Sequence, residues 1–158
     1  SRGVKKCSDM AELTKLATEW LEDSDLLIAQ KFLPTTYDWR VGVLGGQPLF
    51  AVHYLMAKKH WQIVNHKTDG SKADEGGIRT FTLKEAPAHV VDTAVRAARC
   101  IGDGLYGVDL KETKDGVFVI EVNDNPDLDH GCEDLGEKDE IWVRLTQWFL
   151  DRLDRPGR

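Results

Sequence analysis

The stretch LYGVDLKETKDGVFVIEVN, residues 105–123, decides how this chain folds. Two apolar-rich arms flank Asp115-Gly116, so it reads as a β-hairpin. With a three-residue loop, Lys114-Asp115-Gly116, glycine takes the left-handed position and Thr113 faces Val117. Counting outward, Asp109 then faces Glu121. A two-residue loop would shift that pairing by one. Side chains alternate across a sheet, so in the first register Asp109, Glu121 and Asn123 share one face. Val108, Leu110, Phe118, Ile120 and Val122 fall on the other, which is expected to belong to the core.

Two carboxylates placed this close repel unless a cation lies between them. A small set of hard oxygen donors suits Mg²⁺, which keeps several waters and binds substrate phosphates as well. Calcium fits less well, because DNPDLDHG (124–131) lacks the glycine position and the closing glutamate of an EF-hand loop. Spacing alone leaves a second reading of equal standing, a solvated acidic sheet edge. The apolar opposite face suits both.

Outward from this hairpin, YDWRVGVLGGQPLFAVHYLMAKK (37–59) reads as another, with Gly45-Gly46 as a positive-φ turn. Asp38 and Arg40 share one face of its first arm, and Lys58 and Lys59 end the second. Arg40 has two readings here, a surface salt bridge with Asp38 or a functional cation. Asp9, followed by Glu12, starts a helix over about residues 9–23. LLIAQKFL (26–33) reads as a buried strand, and WQIVN and IRTFTL as short ones. HKTDGSKADEGG (66–77) reads as a loop. Ala88–Ile101 carries a helical stripe of Val90, Val91, Ala94, Val95, Ala98 and Ile101, framed by Pro87 and Gly102. Ile141–Leu153 closes the chain as a helix with Ile141, Leu145, Trp148, Phe149 and Leu153 facing one way. Hairpins and three helices predict an α+β layer, an antiparallel sheet with packing helices, rather than a doubly wound parallel sheet.

The chain has 158 residues, of which 41% are apolar and 30% charged, enough for one globular domain. No apolar run approaches the ~20 residues of a membrane helix, and nothing resembles a signal peptide. A net charge of −6 argues against non-specific nucleic-acid binding. Neither nucleic acid nor a membrane is expected as a partner. Cys7, Cys100 and Cys132 are odd in number and lack metal-ligand spacing, so no disulfide framework or structural zinc is expected, and a reducing cytoplasm is the default. Cys132 reads as a bystander thiol. The opening Ser1-Arg2-Gly3-Val4, without a Met, reads as part of a longer protein.

Together these motifs resemble the ATP-grasp ligases, in particular the RimK-like branch related to glutathione synthetase and glutamate-adding ligases. The likeness spans nearly the whole chain but only the C-terminal region of such an enzyme. GVDL followed by VFVIEVNDNPDLDHGCED is similar to the family's metal strand pair. This implies Asp109, Glu121 and Asn123 as ligands of two Mg²⁺ ions, or of Mn²⁺ in their place. AQKFLPTTYDWRV is similar to the adenine hinge and the Asp-x-Arg strand. By that likeness Lys31, Phe32 and Leu33 meet adenine through their backbone, Asp38 holds ribose, and Arg40 faces the transferred phosphoryl group. SRGV resembles the end of the small loop that closes over the phosphates. Lys31 stands where the hinge often has Glu. In MAKKHWQIVN, Lys58 stands for an Arg of the branch as an ATP contact, and Asn65 keeps the Asn of its F-R-S-N segment as a substrate contact.

The resemblance implies an ATP- and Mg²⁺-dependent carboxylate–amine ligase that works through an acyl phosphate. The acceptor would be an amino acid, a peptide or a protein tail, bordered by residues 124–133 with Asn125 as the contact. The lysine strand upstream of SRGV and the substrate-side domain are expected outside this chain, so the isolated piece should catalyse poorly. Two rivals stand beside this: a nucleotide- or metal-binding module without ligase activity, and a scaffold whose acidic loop is only surface.

Overall fold

The computed structural model describes residues 3–56, 64–65, 74–75 and 77–154, the two short pieces by their backbone only. It divides into two compact units, Ser1–Pro34 and Thr35–Arg158.

In the first unit, helix α1 spans Met10–Trp20. The Asp9 carboxylate accepts the Glu12 N–H at 2.8 Å, and Glu12 reaches back to the Ser8 N–H at 2.8 Å. These bonds satisfy donors that a helix start leaves open. The predicted strand over 26–33 does not form. Leu26 and Ile28 are 74% and 84% exposed, and the segment joins no ladder. A short apolar run carries no period that tells a strand from an extended connector, and the described residues of this unit offer it no sheet to join.

The second unit contains β1 (Tyr37–Leu44), β2 (Gln47–Leu55), β3 (Val64–Asn65), β4 (Asp74–Glu75), β5 (Ile78–Phe81), α2 (Ala88–Ile101), β6 (Leu105–Thr113), β7 (Gly116–Asn123), a 3₁₀ turn at Glu133–Leu135 and α3 (Glu140–Leu153). Five strands form one sheet in the order β5-β2-β1-β6-β7, and β3 pairs with β4 apart from it. Among the described residues every pairing is antiparallel, as the α+β reading predicts. Gly45 and Gly46 turn β1 into β2 with φ of 57° and 72°, angles that a two-residue hairpin loop requires.

Alternation along the strands sorts two cores onto the two faces. Trp39, Val41 and Val43 join Ala51, Tyr106, Val108 and Leu110 beneath Val90, Val91, Ala94 and Ala98 of α2. On the opposite face Leu44, Leu49, Phe50 and Val52 pack against Ile141 of α3, with Leu145 and Trp148 at the margin. Ile101, Phe149 and Leu153 were predicted to face inward and are exposed instead. Each lies at a helix end or one step around from the buried stripe.

The second hairpin corrects the predicted loop and keeps the predicted pair. Thr113 faces Gly116, so the turn has two residues, Lys114 and Asp115. The Thr113 hydroxyl closes it, accepting the Asp115 N–H at 3.1 Å and donating to the Gly116 carbonyl at 3.3 Å. Lys111 therefore faces Phe118 and Leu110 faces Val119, one step from the predicted register. Ile120 is then an extra residue, a bulge, and beyond it Asp109 faces Glu121 and Gly107 faces Asn123. The bulge undoes the shift that the tight turn made. Phe118 pays the difference: it shares the face of Lys111, not the core, and is 40% exposed.

Candidate active site

The part of the α3-side face nearest Tyr37 carries polar groups instead of a helix contact. Pairing of β1 with β6 sets Arg40 opposite Asp109. The guanidinium grips the carboxylate with two bonds, Nε to Oδ1 at 2.7 Å and Nη2 to Oδ2 at 2.8 Å, and both side chains are 14% exposed. Across the next ladder Asp109 faces Glu121, and Asn123 Nδ2 donates to Glu121 Oε1 at 3.0 Å. The three predicted oxygen donors thus do come together. Burial pushes the Asp109 carboxyl up to about 6; Arg40 opposes this, while the bond and charge of Glu121 add to it. Burial works against the charge on Arg40, but its bonds to Asp109 and the charges of Asp109 and Asp127 outweigh that and raise its pKa further.

Arg40 also rests on the ring of Tyr54, 5.0 Å from the centroid. The Tyr54 hydroxyl donates a short hydrogen bond to Glu133 Oε1, and the Asp129 N–H donates to Glu133 Oε2 at 2.8 Å. Burial, then the bond to Glu133, pushes the Tyr54 phenol well above its ordinary range. Asp134 accepts from the Gly131 N–H at 2.7 Å and from Trp142 Nε1 at 3.0 Å, and contacts His130 Nδ1 at 2.7 Å. Glu133 and Asp134, both buried, are therefore what shape the loop after β7. Asp124, Asn125, Asp127 and Asp129 stand on its exposed rim. Pro126 presses onto Gly107, where a Cβ would lie 2.7 Å from the proline Cβ; only glycine admits the loop this close to β6. Glu133, Asp134 and Tyr54 were not singled out in the sequence, and nothing local marks them.

Asp38 does not pair with Arg40. Its Oδ1 accepts from Lys111 Nζ at 2.5 Å and from the Thr35 hydroxyl at 2.9 Å, and Lys111 also donates to that hydroxyl at 2.7 Å. Lys111 and Thr35 were missed as well. The Thr35 bond to Asp38 is local, three residues along the chain, but the Lys111 link becomes visible only once β1 and β6 are known to be neighbours.

On the α2 side of the same strands lies an aromatic cluster. His53 stacks on Tyr37 with centroids 3.8 Å apart and meets Trp39 and Phe81 edge-on at 3.8 and 4.5 Å. Its Nε2 is buried without a hydrogen-bond partner among the described residues. Burial, and next the charge of Arg79, lowers its pKa to about 4 against a pull from Glu112. Glu112 accepts from Trp39 Nε1 at 3.0 Å and Tyr37 at 3.4 Å, and contacts His89 at 2.7 Å.

Of the other predicted residues, Lys31, Phe32 and Leu33 lie in the first unit, where Lys6 Nζ sits 3.8 Å above the Phe32 ring. Lys58 lies outside the described residues, and Asn65 is described by its backbone alone, paired with Asp74.

Among the described residues no group of three His, Cys, Asp or Glu side chains is arranged to hold a metal ion. The set here is two carboxylates and an amide. That incomplete shell fits Mg²⁺, which completes its octahedron with water and phosphate oxygens. The raised carboxyl of Asp109 fits too, since a second cation beside it would relieve its opposition to Glu121. No helix among the described residues is long and apolar enough to cross a membrane.

Residues 3–142 match the family described as ATP-grasp domain, R2K clade family 3. A probable alpha-L-glutamate ligase of Syntrophotalea carbinolica is 28% identical over 155 residues, 94% of this chain and 47% of that protein. One of Vibrio vulnificus is 31% identical over 93 residues, 54% of this chain and 30% of that protein. The chain therefore spans about half the length, or less, of the curated relatives it matches. The fold matches a D-alanine–D-alanine ligase of Bacillus anthracis with a TM-score of 0.65 at 15% identity, over 98% of this chain and 52% of that one. The ATP-grasp ligase PsnB, solved with a phosphomimetic variant of its minimal precursor, Mg and ADP, is 26% identical at a TM-score of 0.50, over 75% of this chain and 34% of that one.

Proposed function

The chain belongs to the R2K clade of ATP-grasp domains, and on that footing we propose that it forms the nucleotide- and metal-holding part of an ATP-dependent carboxylate–amine ligase. The observation that carries this is the guanidinium of Arg40, partly buried and locked on Asp109 beside Glu121 on one sheet face. A scaffold needs no such grouping. The Mg and ADP in the PsnB structure support nucleotide and metal as ligands.

In this reading a substrate carboxylate attacks the γ-phosphorus of ATP, the bond to the β–γ bridging oxygen breaks, and ADP leaves an acyl phosphate. An amine nitrogen then adds to the acyl carbon, phosphate departs with the bonding pair, the amine loses a proton, and an amide remains. Arg40 stabilises the phosphoryl oxygens in the first step and the tetrahedral oxyanion in the second. Asp109, Glu121 and Asn123 hold Mg²⁺, two ions or Mn²⁺ in their place, which supplies charge neutralisation on the phosphates. Asp38 accepts from the ribose, and the backbone of Lys31, Phe32 and Leu33 meets adenine. Lys58 contacts the phosphates, and Asn65 and Asn125 contact the substrates. The names of the curated relatives make L-glutamate the first amine to try.

The test is a phosphate-release screen of the intact protein with Mg-ATP against amino acids and peptides. Glu121→Gln is the decisive variant, because Glu121 is exposed and its loss leaves the packing alone. A drop of at least roughly 100-fold with an unchanged melting temperature is expected for a lost metal ligand. Near-normal turnover would sink the metal assignment. ATP binding without substrate-dependent phosphate release from any acid and amine pair would favour a binding module. Asp109→Asn is a poorer test: it strands the Arg40 charge, a loss of about 3–5 kcal/mol for a buried pair broken on one side.

A further inference from the structure

We infer that Lys111 and Thr35 are positioning residues for nucleotide recognition, fixing Asp38 by one carboxylate oxygen and leaving the other for the ribose hydroxyls. This rests on the proposed role of Asp38 at the ribose. The three side chains close a triangle in which each bonds the other two, at 2.5, 2.7 and 2.9 Å. Both contacts to Asp38 fall on Oδ1. A carboxylate oxygen that accepts from a hydroxyl forms a charge-assisted bond, and its strength depends on the carboxylate being held in place.

The triangle lies one step along the sheet from the Arg40–Asp109 pair and reverses it. On β1 the acid Asp38 precedes the base Arg40; on β6 the acid Asp109 precedes the base Lys111. Lys111 and Asp38 are 12% and 16% exposed, so this is not a loose surface pair of little consequence. Lys111 has a second effect. An unneutralised carboxylate would repel a bound triphosphate, and the ammonium cancels that charge while leaving the acceptor oxygen in place. Lys111 has three N–H donors and two are engaged here, so it is committed to orienting Asp38.

The readout is a ratio that a purely structural role would not move. Calorimetry on the intact protein with Mg²⁺ compares Kd for ATP, 2′-deoxyATP and 3′-deoxyATP, and needs no knowledge of the acid or amine. Loss of a hydroxyl that bonds a carboxylate should weaken binding roughly 10-fold or more. Asp38→Asn should remove most of that preference. Lys111→Met should bring the ratio close to that of Asp38→Asn, Thr35→Val should reduce it in part, and Lys111→Arg should restore it. A Lys111→Met protein that keeps the wild-type ratio overturns the inference, even if it binds all three nucleotides more weakly, since that pattern marks a phosphate contact instead. Should Lys111→Met fail to fold, an unchanged ratio in Thr35→Val overturns it equally. If wild type shows no preference, or Asp38→Asn keeps it, the ribose role of Asp38 is what has failed. If Asp38→Asn loses the preference while Lys111→Met and Thr35→Val keep it, only the positioning role has.

Discussion

Acid should weaken the Thr35–Arg158 unit through His53. The imidazole is 8% exposed, packed among Tyr37, Trp39 and Phe81, and its Nε2 has no hydrogen-bond partner among the described residues. Its pKa falls from 6.5 to about 4 on folding. A depressed value means that the unfolded chain takes up a proton that the folded one refuses. The stabilisation is therefore complete above pH 6.5 and is lost as pH falls toward 4. The full shift converts to ~3 kcal/mol, and screening by water at the half-exposed edges of Tyr37 and Phe81 reduces it to about 2 kcal/mol. Asp109 has the opposite sign, because its raised carboxyl favours the folded state as pH falls through about 6. The raw pH profile mixes the two, but the difference between wild type and His53→Phe isolates the histidine. The assay is urea unfolding followed by far-UV circular dichroism across that range, with chelator present. Near neutral pH the variant should match wild type or exceed it, since it removes an unpaired buried nitrogen. Toward pH 4 it should gain about 2 kcal/mol on wild type, which for a domain of this size is roughly 4–8 °C in melting temperature. Parallel profiles would refute the reasoning. So would a variant weakened equally at every pH, which would mean that His53 makes a polar contact the fold requires.

Two further outcomes concern the loop beside the site. Tyr54→Phe keeps the ring under Arg40 but leaves Glu133, 2% exposed, without its hydroxyl donor. Denaturant unfolding should show a loss of ~1–3 kcal/mol, and Tyr54→Phe with Glu133→Gln should lose less than the sum of the two single changes; strict additivity would show that the bond is idle. Gly107→Ala drives a methyl against Pro126 and should cost ~1–3 kcal/mol while speeding proteolytic cleavage within 124–131; an unchanged melting temperature and cleavage rate would show that the loop is not seated on β6.

The hairpin of residues 105–123 was legible in the sequence, yet its register was reached through two errors that cancel. A turn one residue shorter than supposed moved the pairing, and a bulge at Ile120 moved it back. Alternation alone cannot reveal a bulge, so Phe118 was assigned to the wrong face while Asp109 and Glu121 were paired correctly. The bounds of helix α2 were legible to the residue because proline and glycine frame them, while its apolar stripe overreached at Ile101. The strand over 26–33 was not, because apolar content without a period says nothing about pairing. Lys111, Thr35, Tyr54 and Glu133 share a different cause. Each has a partner distant in sequence, 73 residues for Lys111 with Asp38, 76 for Thr35 with Lys111 and 79 for Tyr54 with Glu133. The Lys111 pairs follow from β1 lying against β6, which two hairpins read separately do not reveal, and Tyr54–Glu133 follows from where the loop after β7 settles against β2.

The same adjacency bears on whether the Arg40–Asp109 pair obstructs the proposed chemistry. A bidentate pair looks closed, with the acid unavailable to a metal and the base unavailable to a phosphate. Its unused donors and lone pairs keep both groups available. Guanidinium has five N–H donors in a fixed plane, and Asp109 occupies one on Nε and one on Nη2. Three remain for phosphoryl oxygens. Each carboxylate oxygen of Asp109 takes one of those N–H bonds and keeps a lone pair for a cation. Below the plane, Tyr54 limits how far the guanidinium can tilt. The pair is therefore a means of aiming both groups at once. Arg40 is fixed by the acid that would share the metal, and Asp109 is fixed by the base that would share the phosphate. Replacing Arg40 by Lys keeps the charge but loses the fork. It should then weaken metal and phosphate binding together, where a residue that touched phosphate alone would weaken only one.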